Sequence, residues 1–67
     1  MSLTNYQAMD PNMLYSLVNT KLRNEYRDLD ELVSAMELDR AVLERRLAAA
    51  GFYYWPELNQ FRGQAPQ

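Results

Sequence analysis

Apolar residues recur three and four positions apart along most of this chain and then give way to an aromatic run. Leu14, Leu17, Val18 and Leu22 follow helical spacing, with Tyr26 one turn further on. Asp10 precedes them as a cap for free backbone amides, and Pro11 suits the first helical position because it has no N–H to leave unbonded. Met9 before the cap and Leu14 inside it form a hydrophobic staple. The spacing predicts a helix from Pro11 to near Tyr26, with Asn12, Ser16, Asn19, Lys21 and Arg23 left to solvent. A second helix starts at Asp28, where Asp28 and Glu31 resemble a capping box. Leu29, Leu32, Val33 and Met36 then share one face. Asp39 caps a third helix, stapled by Leu38 and Leu43, whose buried side comprises Val42, Leu43, Leu47 and Ala50.

Gly51 stops the third helix, because glycine accepts the left-handed backbone that ends helices, and Phe52 folds back toward Leu47. Phe52-Tyr53-Tyr54-Trp55 favours a strand. Pro56-Glu57-Leu58-Asn59 reads as a turn, with proline presetting one corner and asparagine accepting a left-handed one. Gln60, Phe61 and Arg62 return as a second strand. The expected fold is mainly α: a three-helix, helix-turn-helix-like domain followed by a short C-terminal β-hairpin. Residues 10–62 form that single domain. Residues 1–9 are expected as a flexible arm, including Leu3 and Tyr6, and residues 63–67 as a disordered tail.

Composition narrows the chemistry. A chain of 67 residues is one small domain, and buries about 60% of its extended surface, which leaves its stability marginal. Cys and His both number 0, so no disulfide forms and the usual zinc and haem ligands are missing. Packing efficiency or self-association must supply the stability instead. The hydrophobic fraction of 48% is enough for a core. The N-terminus has neither a basic region with an apolar run nor a membrane-spanning stretch, so no membrane partner is expected. Cysteine-free composition fits a reducing cytoplasm.

A net charge of −2 argues against a dedicated nucleic-acid partner. The segment from Asp28 to Ala50 still invites a helix-turn-helix comparison. Leu32, Met36, Leu38 and Leu43 fall where that motif wants apolar residues. Val33 stands where a small residue is usual, Glu37 where the turn glycine is usual, and Arg46 where another apolar residue is usual. Helices followed by a hairpin also resemble winged-helix domains, in which Arg40, Arg45, Arg46 and the hairpin's Arg62 would meet phosphates. Glu44, Glu37 and Asp39 interrupt that basic surface. The carboxylates Asp28, Asp30, Glu31, Glu37 and Asp39 cluster at helix starts, where negative charge is favourable for structural reasons. Ser16 and Ser34 have no histidine to activate them, so no catalytic residue and no cofactor are expected.

The aromatic run carries the remaining information. If Phe52 and Tyr54 cover the helices, Tyr53 and Trp55 face away, where large aromatics favour a partner surface. The hairpin's outer edge is expected to be free to pair with another strand.

Pro11-Asn12-Met13-Leu14, Ser16-Leu17-Val18-Asn19 and Lys21-Leu22-Arg23 resemble the opening of a family of short bacterial proteins, domain of unknown function four-two-five-zero. Leu29-Asp30-Glu31-Leu32, the stretch from Leu47 to Gly51, Phe52 to Tyr54 and Asn59-Gln60-Phe61 continue the resemblance, which spans Asp10 to Arg62. An acidic residue is commoner in the family where Trp55 stands. The resemblance implies a small cytoplasmic bacterial protein and carries no activity, cofactor or catalytic residue with it. The expected role is a non-enzymatic protein-interaction module, in one form a homodimer using Tyr53 and Trp55. The alternative is a winged-helix-like DNA-binding regulator. Heparin retention that falls steeply with salt would mark the second, and salt-insensitive self-association the first.

Overall fold

A computed structural model describes residues 6–64. The elements run α1 (Pro11–Asn24), α2 (Leu29–Met36), α3 (Arg40–Ala48), β1 (Tyr53–Trp55) and β2 (Gln60–Arg62). The strands form an antiparallel hairpin that pairs Tyr53 with Arg62, Tyr54 with Phe61 and Trp55 with Gln60. The three helices pack on one another, α1 also lies along β2, and α3 lies along β1. No helix among the described residues is long and apolar enough to cross a membrane.

Each helix begins where its aspartate stands. Asp10 accepts from Met13 N, Asp28 from Glu31 N and Asp39 from Val42 N. These carboxylates satisfy amides that a first helical turn leaves unbonded, each contributing about 0.5–2 kcal/mol. The box at α2 is shifted by one residue. Glu31 reaches back to Arg27 N at 2.9 Å, not to the N–H of Asp28. Met9 and Leu38, the outer members of the expected staples, are half-buried against the core.

The buried apolar side chains are those the helical spacing selects: Leu14, Val18 and Leu22 from α1, Leu29, Leu32 and Val33 from α2, and Leu43 and Leu47 from α3. Phe61 from β2 and Tyr6 complete the core. Ala50 is exposed, contrary to expectation, because the chain has left the helix before it. The first helix ends at Asn24, short of Tyr26. Glu25 N and Tyr26 N both bond to Lys21 O there, at 2.8 and 3.1 Å.

Most of the expected arm, residues 1–5, lies outside the described residues, as do residues 65–67 of the expected tail. Tyr6, also assigned to the arm, is buried at 7% exposure, and its hydroxyl accepts from Asp39 N at 3.3 Å. That bond ties the segment before α1 to the start of α3.

Both helix stops in the second half share one geometry. Gly51 N bonds Ala48 O and Phe52 N bonds Leu47 O, with Gly51 at φ 89°. Glu37 N bonds Ser34 O and Leu38 N bonds Val33 O, with Glu37 at φ 57°. These are paired reverse bonds around a left-handed residue. Glycine holds that conformation without strain, whereas glutamate pays about 1 kcal/mol for it. A Cβ at Gly51 would meet no heavy atom within 4 Å, so backbone strain alone opposes a side chain there.

Two substitutions therefore carry opposite signs. Gly51→Val is expected to lower the melting temperature, and by more than Ala49→Val, whose site has φ −60°. Glu37→Gly is expected to raise stability by about 0.5–1 kcal/mol. Chemical denaturation of the three variants measures both. Equal losses at Gly51 and Ala49, or a destabilised Glu37→Gly, would contradict the account of the stops.

Candidate functional site

The hairpin's two faces have different fates. On the inner face Phe61 is 1% exposed and lies beside Tyr54, with ring centroids 5.4 Å apart. Burying a phenylalanine side chain this fully contributes about 1.5–3 kcal/mol. Cross-strand partners project to the same side, so Tyr53 and Arg62 share the outer face with Trp55 and Gln60. The placement of Tyr53 and Trp55 away from the helices follows the strand alternation read in the sequence. Tyr53 is 37% exposed. Trp55 is half-buried, and its indole Nε1 donates to Gln64 O at 2.7 Å, so the chain after β2 turns back beside the ring. Phe52 leaves the hairpin and stacks on Tyr15 of α1, centroids 4.0 Å apart.

Side-chain amides fix this face in place. Asn19 of α1 donates Nδ2 to Phe61 O at 3.1 Å and accepts Phe61 N at Oδ1, 2.7 Å. The pair reproduces the two bonds that a neighbouring strand would make. The outer edge of β2, expected to be free for strand pairing, is therefore occupied at Phe61, and Asn19 is not left to solvent. Gln60 Nε2 adds a bond to Asn19 O. In the turn, Asn59 takes φ 52°, as its residue type allows, and its Nδ2 donates to Leu22 O and Tyr26 O, both at 3.0 Å. Those carbonyls lie at the end of α1 and just beyond it, where intrahelical donors run out. Asn59 Oδ1 accepts the Tyr54 hydroxyl at 2.8 Å, and that hydroxyl accepts from Leu29 N at 3.2 Å. One chain of bonds thus links the end of α1, the hairpin turn and the start of α2.

The basic residues are divided. Arg40 pairs with Asp30 and Glu44, and its guanidinium lies 5.8 Å from the centre of the Tyr54 ring. Arg46 is half-buried and donates to Met9 O, while its Nε is buried without a hydrogen-bond partner. Arg45 and Arg62 are exposed and form no ion pair among the described residues. The structure thus does not gather Arg40, Arg45, Arg46 and Arg62 into one unoccupied basic surface. An open groove of about 680 Å³ runs between α1 and β2, with Arg23 and Arg62 on its border and Tyr15 and Leu58 in its wall. Among the described residues no cluster of three or more acidic side chains is placed to hold a metal ion.

Sequence reading missed Asn19 and Asn59 as clasps. Asn59 carried one signal, the left-handed turn position. Asn19 carried none, since asparagine on a helix's polar side reads as solvated.

Three capped helices with a helix-turn-helix-like order, closed by a hairpin that amide side chains hold down, define a small mainly helical domain. The chain belongs to the family described as Domain of unknown function (DUF4250), whose model matches residues 8–61. No curated protein and no solved structure matches it.

Burial raises the Tyr54 phenol above its ordinary 10.0, with the Asp28 and Asp30 carboxylates acting in the same direction, against the Leu29 amide and Arg40. A raised tyrosine pKa means the fold prefers the neutral phenol. Its contribution is complete below the unfolded value near 10 and is lost as pH rises through the folded one. Lys21, raised chiefly by its hydrogen bond to Glu25, has the same sign. Stability is therefore expected to fall as the pH rises above about 10. Tyr54→Phe should cost about 1–2 kcal/mol at neutral pH, by stranding Leu29 N–H and Asn59 Oδ1, and should flatten the alkaline decline. Urea melts across that range test both parts. A Tyr54→Phe variant with the wild-type slope would contradict the assignment.

Proposed function

We propose that this protein is a non-enzymatic interaction module of the bacterial cytoplasm that engages a protein partner, a second copy of itself in the simplest case, through the outer face of the hairpin. The observation that carries the reading is the placement of Tyr53 and Trp55 together on that face, in a domain whose core is already filled by other side chains. Tyrosine and tryptophan offer large rigid contact area at small entropic cost, which is why they dominate binding hot spots. The amide clasps support the same reading, because a face held from behind by Asn19 and Asn59 is preorganised for contact. The chain has no histidine or cysteine to act as base or nucleophile, which supports a role without catalysis.

Less supports a winged-helix regulator. Arg40 and Arg46, which would face phosphates, already bond to Asp30 and to Met9 O. The net charge of −2 also opposes approach to a polyanion. Salt-sensitive binding of the wild type to duplex DNA, lost on changing Arg40, Arg45 and Arg46 together to Ala, would favour the regulator instead.

Trp55→Ala is expected to weaken self-association at least about tenfold while preserving helical content. Sedimentation and circular dichroism read the two halves. A Trp55→Ala variant that unfolds would make Trp55 a core residue and overturn the reading.

A further inference from the structure

The outer face of the hairpin runs into the groove beside α1, since Gln60 and Arg62 belong to both. Its two bordering guanidiniums, Arg23 and Arg62, are exposed and form no ion pair among the described residues. Elsewhere Lys21, Arg27 and Arg40 are each paired with a carboxylate. The groove therefore brings together two cations that the fold has not neutralised, whereas Arg45 and Arg46, which also lack a carboxylate partner among the described residues, lie outside it. Its apolar part is the wall made by Tyr15, backed by the Phe52 ring, together with Leu58.

An occupant cannot enter by adding a strand to β2 at Phe61, because Asn19 already holds both backbone groups of that residue. It must bind by its side chains. The chemistry that fits is a carboxylate carried next to an apolar residue.

This chain presents that pair at the tip of its own hairpin. Glu57 is exposed and makes no ion pair among the described residues. Leu58 beside it is 48% exposed, and also lies at the groove's wall. Donor tip and acceptor groove are thus neighbours on one molecule. A twofold axis near the tip allows each copy to place its tip in the other's groove, which closes the assembly at two copies.

We propose that the groove between α1 and β2 receives the hairpin tip of a second copy of this chain, with Glu57 of one copy against Arg23 and Arg62 of the other and Leu58 against the Tyr15 wall. The proposal rests on the reading of the hairpin face as a self-association surface and names the contacts that set its register. Apolar contact supplies area, and the reciprocal charges fix orientation and exclude other alignments.

The test is sedimentation equilibrium of the wild type, Arg62→Glu, Glu57→Arg and the double variant, at low and at high salt, with circular dichroism on all four. The wild type is expected to dimerise, and to do so less tightly at high salt. Each single reversal should weaken the dimer at least about tenfold, because like charges then meet across the axis. The double variant should recover most of that loss, since each copy again offers opposite charges to the other. These positions are exposed, so helical content should be unchanged throughout. Single variants that dimerise like the wild type, or a double variant no better than the singles, would overturn the proposal. A dimer indifferent to all these charges but dispersed by Trp55→Ala would overturn it while leaving the broader reading of the hairpin face standing. A wild type that stays monomeric at millimolar concentration would remove self-association altogether, and uptake of an acidic, leucine-containing synthetic peptide by that monomer would assign the groove to a foreign segment.

Discussion

The bonds from Asn59 to Leu22 O and Tyr26 O join the hairpin to the helices, and much else depends on that join. A two-stranded sheet of three-residue strands has almost no independent stability in water. It persists here because the side chain of its own turn satisfies carbonyls at and just beyond the end of α1, which would otherwise need water. The same side chain accepts the Tyr54 hydroxyl, whose oxygen accepts the first amide of α2. Loss of this residue would leave several polar groups without partners, each at a cost of about 1–3 kcal/mol. On the other side Asn19 gives β2 the bonds of a missing third strand. The aromatic face is thus positioned by polar groups behind it as much as by burial of Phe61.

Electrostatics follow the same economy of small parts. The acidic residues that look like a cluster in the sequence are distributed among local tasks. Asp28 and Asp39 cap helices, Glu31 bonds Arg27 N, and Asp30 and Glu44 hold Arg40. What remains unpaired among the described residues includes Arg23 and Arg62 beside the groove and Glu57 at the hairpin tip. In so small a domain, charges without an internal role are the ones available to a partner, because exposed ion pairs within the fold contribute little to stability.

The helices were legible because several local signals agree at each of them. Asp10, Asp28 and Asp39 cap, leucines repeat at helical spacing, and Gly51 terminates. The hairpin was legible from the aromatic run and from Asn59 in its turn. The clasp by Asn19 was not, because it joins residues 42 positions apart and depends on where the helix comes to rest, which no local pattern encodes. Tyr6 was misjudged for a related reason. A lone tyrosine outside any periodic run gives no sign that Asp39 N will seek its hydroxyl. Glu37 shows the opposite failure: the expected glycine is absent, yet the backbone takes the left-handed turn, since the bonds around it and the packing of Leu38 over-determine its shape.

The separation of 42 residues between Asn19 and Phe61 also bears on the order in which the domain assembles. Contacts within and between consecutive helices close short loops, whereas docking the hairpin closes nearly the whole domain, and closure entropy grows with loop length. Helical contacts are therefore expected to form early and the hairpin to join late. By the same reasoning the hairpin is the unit most readily released from the native state, since it contributes a single fully buried side chain, Phe61. Its release would uncover the inner rings and dismantle the outer aromatic face in one step. A partner that binds the outer face would then stabilise the last-formed and first-lost part of the molecule, so recognition and completion of the fold become one equilibrium.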